Sequence, residues 1–97
     1  MAATGGDWKA LYEGARQGDV EEVRHWLSAG VNPDYQHVEF GTTPLIAAAE
    51  NGHLDAAKAL VEGGANPSVR SEWDEHDALE AARARGHQHV VRWLESL

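Results

Sequence analysis

Six histidines and sixteen aspartates and glutamates stand against no cysteine, so any metal in this chain would have to be held by imidazole and carboxylate alone. The lack of thiols also removes disulfides, thiolate nucleophiles and cysteine-ligated haem or iron–sulfur centres. His87 and His89 form the closest pair, with His76 and Glu80 a short way upstream. Residues two apart on a helix point in divergent directions, whereas helical ligand pairs sit three or four apart, and this spacing argues against a metal site. Ser28, Ser68, Ser71 and Ser96 lie in no nucleophile elbow, no glycine-rich phosphate loop exists, and the carboxylates are dispersed over solvated faces. No catalytic residue, cofactor or metal is expected, and the chain reads as a non-enzyme. A His–carboxylate metal-binding protein is the least favoured alternative.

Whatever these residues do, a fold must position them, and composition alone leaves folding open. Ninety-seven residues supply one domain. Leu, Ile, Val and Phe number 18 and the formal charge is -8, close to the balance at which chains stay disordered. Sixteen alanines and four tryptophans raise the apolar share to 42%, so a regular pattern could still bury a core. The acidic excess repels phosphate backbones, which makes nucleic acid an unexpected partner and a basic protein surface an attractive one. Met1 to Asp7 show no leader pattern and no apolar run approaches the length of a membrane span, so a cytoplasmic location with no membrane partner is expected.

The pattern is a repeat. At an offset of 34 residues Leu11, Leu45 and Leu79 coincide, as do Gly18, Gly52 and Gly86, then Val23, Ala57 and Val91, then Trp26, Leu60 and Leu94. Gly30, Asn32 and Pro33 return as Gly64, Asn66 and Pro67. Each copy spells helix, tight turn, helix and an extended excursion. In the middle copy Thr43 caps, Pro44 takes the first helical position, and Asn51-Gly52 stops the helix. A second helix follows from Leu54 to Glu62, with Gly63 and Gly64 expected to end it through positive φ. Asp19 to Glu22 and Asp77 to Glu80 read as capping boxes. Val31–Thr42 and Ala65–His76 read as protruding hairpins.

The segment from Gly41-Thr42-Thr43-Pro44-Leu45 through Gly52-His53-Leu54 to Gly63-Gly64-Ala65-Asn66-Pro67 closely resembles an ankyrin repeat, and the likeness covers nearly the whole chain. The resemblance implies an all-α solenoid of stacked helix pairs with β-hairpin or loop fingers, as a single domain over 1–97. Its repeats are expected at about 7–40, 41–74 and 75–97. The family's usual His after Thr-Pro-Leu is Ile46 here, with Tyr12 and Glu80 in the other copies, so its hydrogen bonds must be replaced or lost. The period is one residue longer than usual, and the second finger has Glu75 where the first has Gly41. His53 and His87 follow the Gly-His position, where a turn-stabilising role is expected. Glu13, Glu22, His25, Arg83 and Glu95 replace apolar residues of the middle copy, as expected of a self-capped stack.

The resemblance further implies a non-enzymatic protein-interaction module whose concave face of fingers and first helices grips a partner protein. The residues placed there are Trp8, Val38, Glu39, Phe40, Thr42, Glu50, Asn51, Glu72, Trp73, Asp74, His76 and Arg85. Trp73 is the preferred anchor, beside Phe40 of the neighbouring finger; the alternative has it folded over its own hairpin. Trp8 either contacts the partner or seals the N-terminal edge, Trp26 packs in the core, and Trp93 partly covers the stack end. A monomer is expected, with a homodimer through Trp93 or Leu97 as the structural alternative.

Overall fold

The computed structural model describes residues 5–97, with side chains from Asp7 onward, so the expectation about Met1–Asp7 lies largely outside the described residues. Six helices follow in chain order: α1 (Gly5–Gln17), α2 (Val20–Ser28), α3 (Pro44–Glu50), α4 (Leu54–Glu62), α5 (Ala78–Ala84) and α6 (Gln88–Glu95). They form three antiparallel pairs; α1, α3 and α5 pack side by side in one row, and α2 packs on α4 behind it. The molecule measures 37 × 26 × 21 Å. None of its described helices is long and apolar enough to cross a membrane.

Local chemistry sets the helix starts. Thr43 Oγ1 accepts from the Ile46 N–H at 3.2 Å, and Pro44 opens α3. Asp77 and Glu80 form the expected reciprocal box at α5, with bonds of 2.9 and 3.2 Å. The box expected at α2 is only half made. Asp19 accepts from the Glu22 N–H, but the Glu22 carboxylate takes the indole N–H of Trp26 at 2.9 Å instead of reaching back. A side-chain donor one turn ahead outcompetes the cap.

Each first helix ends in the same turn. The N–H of Asp19, His53 and His87 bonds the carbonyl of Gly14, Ala48 and Ala82 at 2.8, 2.9 and 3.0 Å across a glycine with φ between 73° and 77°. Two of these glycines are also required sterically. A Cβ on Gly18 would fall 2.6 Å from His53 Nδ1, and one on Gly52 would fall 2.7 Å from His87 Nδ1. His53 and His87 therefore brace the turn of the preceding repeat as well as their own. The second braces it by a hydrogen bond, His87 Nε2 to the Glu50 carbonyl at 2.9 Å, with His89 Nε2 on the Gly52 carbonyl alongside. Positive φ at the end of α4 comes from Gly64 alone, at 104°; Gly63 stays at -85°, correcting the expectation for that pair.

Burial follows the stack. Leu11, Val23, Pro44, Leu45, Leu60 and Val90 are fully enclosed, and six of the seven residues of α3 are buried because α1 and α5 cover it from both sides. Ile46, at the position of the missing histidine, is among them. Its counterparts differ: Tyr12 joins an aromatic cluster, and Glu80 caps α5 and pairs with Arg70 at 3.0 Å. Ala47, Ala56 and Ala59 are buried in the middle pair, whereas Glu13, Glu22 and His25 are exposed on one outer face, and Arg83 and Glu95 on the other. Three of these residues are in ion pairs: Glu13 binds Arg16 at 2.8 Å, and Arg83 binds Glu95 at 2.6 Å.

The excursions are not β-hairpins. Among the described residues no strand forms; Asn32 and Asn66 fold the chain through Asx turns onto the N–H of Asp34 and Ser68, both at 2.9 Å. Without a tip that supplies two consecutive positive-φ residues, the fingers close as wider turns.

Because Leu60 is wholly enclosed between α2, α3 and its own repeat, Leu60→Ala should cost about 3 kcal/mol. Urea denaturation followed by circular dichroism measures this; an unchanged midpoint would contradict the stacked core.

Candidate functional site

The two fingers are tied side by side through a glutamine. Gln36 Nε2 donates to the Arg70 carbonyl at 2.6 Å, and Gln36 Oε1 accepts from the Glu72 N–H at 2.9 Å. That same N–H also bonds the Gly41 carbonyl at 2.9 Å, while Asp34 Oδ1 accepts from the Asn66 N–H. Gln36 and Asp34 thus do the work a β-ladder would do. Neither role is legible in the sequence, because the register places Arg70 and Ser68 at their positions and the pairing leaves no repeated identity.

The second finger ends in a six-residue turn from Ser71 to His76. The Ser71 N–H donates to the His76 carbonyl at 2.8 Å, and the Glu75 N–H donates to the Ser71 carbonyl at 2.9 Å. Inside the turn Asp74 Oδ1 accepts from the Ser71 hydroxyl and from the His76 N–H. Glu75 adopts φ 59°, the value also found at Gly41, its counterpart in the first finger. The missing glycine leaves the left-handed conformation in place; a glutamate is held there, at about 1–2 kcal/mol. Ser71 itself is buried, which anchors the turn to the body.

Trp73 stands at this tip with 68% of its surface exposed. Its ring lies across Gly41 of the first finger. It therefore reaches across to the neighbouring finger. Phe40 turns inward instead, 5.6 Å from Trp8 and 4.9 Å from Tyr12 between ring centres. Trp8 is only 2% exposed, so it seals the N-terminal edge and is unavailable to a partner. It stacks on Tyr12 at 5.3 Å and on His37 at 5.7 Å, with Tyr35 edge-on at 6.1 Å, and its indole N–H has no acceptor among the described residues. The first finger is thereby glued to α1 by aromatic packing. Trp26 and Trp93 are partly buried against the core.

The other expected contact residues divide. Val38, 77% exposed, projects from the first finger, and Glu39 beside it reaches Lys9 at 3.3 Å. Glu72, Asp74 and Arg85 are exposed, and Thr42, Glu50 and His76 half-buried. Asn51 is committed to its own helix, its side chain donating to the Ala47 carbonyl at 2.8 Å. Burial, and next the Glu50 charge, push the Tyr12 phenol above its ordinary pKa. Among the described residues no three His, Asp or Glu side chains converge as metal ligands, and the His87 and His89 rings stand perpendicular with their centres 6.2 Å apart. This face presents the exposed Trp73 indole with the exposed carboxylates of Glu72 and Asp74 next to it in the chain.

Comparison with known proteins places the fold. The family described as ankyrin repeats in three copies matches residues 11–96. The mouse histone-lysine N-methyltransferase EHMT1 is 42% identical over 65 residues, 66% of this chain and 5% of that protein. The Arabidopsis thaliana potassium channel GORK is 36% identical over 84% of this chain and 10% of its own length. The human ARF GTPase-activating protein GIT1 is 34% identical over 89% and 11% respectively. The chain thus spans about a tenth or less of these relatives. Among solved structures, one chain of the complex between a predatory endopeptidase from Bdellovibrio bacteriovorus and an immunity protein superposes with a TM-score of 0.82 at 28% identity, over 99% of this chain and 47% of that one.

Two predictions follow from the geometry of the face. Glu75→Gly relieves the left-handed strain and should raise stability by about 0.5–1 kcal/mol, read as a higher urea midpoint; a loss would show that the carboxylate holds the turn. For Tyr12, a raised folded-state pKa means that its contribution is intact below the ordinary value of 10.0 and is lost as pH rises through the higher folded value. Urea midpoints at neutral and strongly alkaline pH should therefore fall less in Tyr12→Phe than in the parent.

Proposed function

Because this chain belongs to the ankyrin-repeat family, whose repeats are protein–protein interaction modules, we propose that it grips a partner protein on the face made by its two fingers and first helices. It does so without enzymatic chemistry. The observation that carries the reading is Trp73: a tryptophan 68% exposed yet seated on Gly41, in a turn bonded to the neighbouring finger. Large aromatics exposed on rigid supports lose little entropy on binding and dominate interface energies. Val38 and Glu39 continue the contact along the first finger, and Glu72 and Asp74 flank the anchor. The acidic excess favours a partner with a basic surface and speeds the encounter.

The activities of the longer relatives are not carried over, since the shared part is a small share of each. Self-association is the weaker reading: Trp93 packs on the core, leaving Leu97, 61% exposed, as the apolar residue of that end.

Affinity capture from the native cell lysate tests the proposal. Trp73→Ala and Glu72→Lys should each keep the helical circular dichroism spectrum, and Trp73→Ala should weaken retention about thirtyfold or more. Equal retention by both variants removes the finger face from the reading. Light scattering across a broad concentration range should return a constant monomer mass; a mass that grows with concentration would favour self-association.

A further inference from the structure

Trp73 shows one face to backbone and the other to solvent. A Cβ built on Gly41 would lie 2.5 Å from each of Cδ1, Cδ2 and Cε2 of the indole. Equal closeness to three atoms of the five-membered ring puts Gly41 over the ring's face, not its edge. The opposite face of this side chain, 68% exposed overall, therefore looks outward. An indole face attracts cations, and a planar guanidinium can also stack on it.

Three acidic residues flank Trp73 in the chain. Glu72, Asp74 and Glu75 sit in the same short turn as Trp73 and are exposed. Asp74 is committed to Ser71 and the His76 N–H. The side chains of Glu72 and Glu75 take no hydrogen-bond or ion-pair partner among the described residues, while Arg70 pairs with Glu80 at 3.0 Å and Lys9 with Glu39 at 3.3 Å. Three carboxylates in one turn repel one another, and the chain as a whole carries -8.

Resting on the reading of the finger face as the binding surface, the geometry points to an arginine-bearing basic segment of the partner protein as its occupant. The guanidinium lies flat on the outer face of Trp73, and its N–H groups reach the carboxylates of Glu72 and Glu75. This uses both features at once, since the aromatic plane supplies stacking and the flanking charges supply direction. A lysine would gain the charge but not the stacked plane. A neutral apolar segment would leave the repulsion within the turn unrelieved.

The test titrates the 15N-labelled full chain with short glycine–serine peptides that differ only in carrying arginine, lysine or citrulline. The arginine peptide should shift the Trp73 indole N–H signal, with affinity falling as salt rises. Citrulline keeps the shape and removes the charge, and should bind about tenfold more weakly; the lysine peptide should fall between them. A Glu72→Gln/Glu75→Gln double variant, with unchanged circular dichroism, should lose about fivefold toward the arginine peptide. Equal binding of arginine and citrulline peptides, a silent Trp73 signal, or undiminished affinity in the double variant would overturn the assignment. If Trp73-dependent capture from lysate persists in that event, the surface stands and its occupant is not cationic; if capture is also independent of Trp73, the surface itself is lost.

Discussion

Everything in this molecule depends on helices being covered by helices. α3 and α5 have seven residues each, α6 eight, and α2 and α4 nine, lengths at which an isolated helix in water is largely unfolded. What they lack in propensity they recover by stacking: α3 is roofed on one side by α1 and on the other by α5. The alanines at 47, 48 and 49 allow that close approach, since a larger side chain would hold the row apart. Where the row ends, the alanines give way to glutamate, arginine and histidine, because a face without a neighbour must be wetted.

The fingers inherit their rigidity from that row. They are short turns without a ladder, and left alone they would be mobile. Aromatic packing of Phe40 and His37 on Trp8 fixes the first to α1, and Gln36 fixes the second to the first. The outcome is an indole exposed to solvent on a turn hydrogen-bonded to the neighbouring finger. The left-handed Glu75 belongs to the same economy of form: strain tolerated at a tip where a side chain, rather than glycine, is presented.

Much of this could be read in advance where the physics is local. Thr43 and Pro44 start a helix, Asn51-Gly52 stop it and Leu54–Glu62 form the next, because caps and left-handed turns involve residues within a few positions. The contact face was less legible. Trp8 and Trp73 are both tryptophans near predicted contact positions, yet one is enclosed and the other bare. The difference lies in His37, Tyr35 and Phe40, some thirty residues from Trp8, and in Gly41, equally remote from Trp73.

The sequence by itself determined the period, the helix boundaries of the middle repeat, its buried alanines and the polar outer faces, since each follows from spacing and side-chain type along one stretch of chain. Only the tertiary structure decided that the fingers close without strands, that Glu22 abandons its cap for Trp26, that Gln36 joins the fingers, and which tryptophan meets solvent. Those outcomes are competitions between partners far apart in sequence, and a side chain's partner is settled only when folding brings the contenders together.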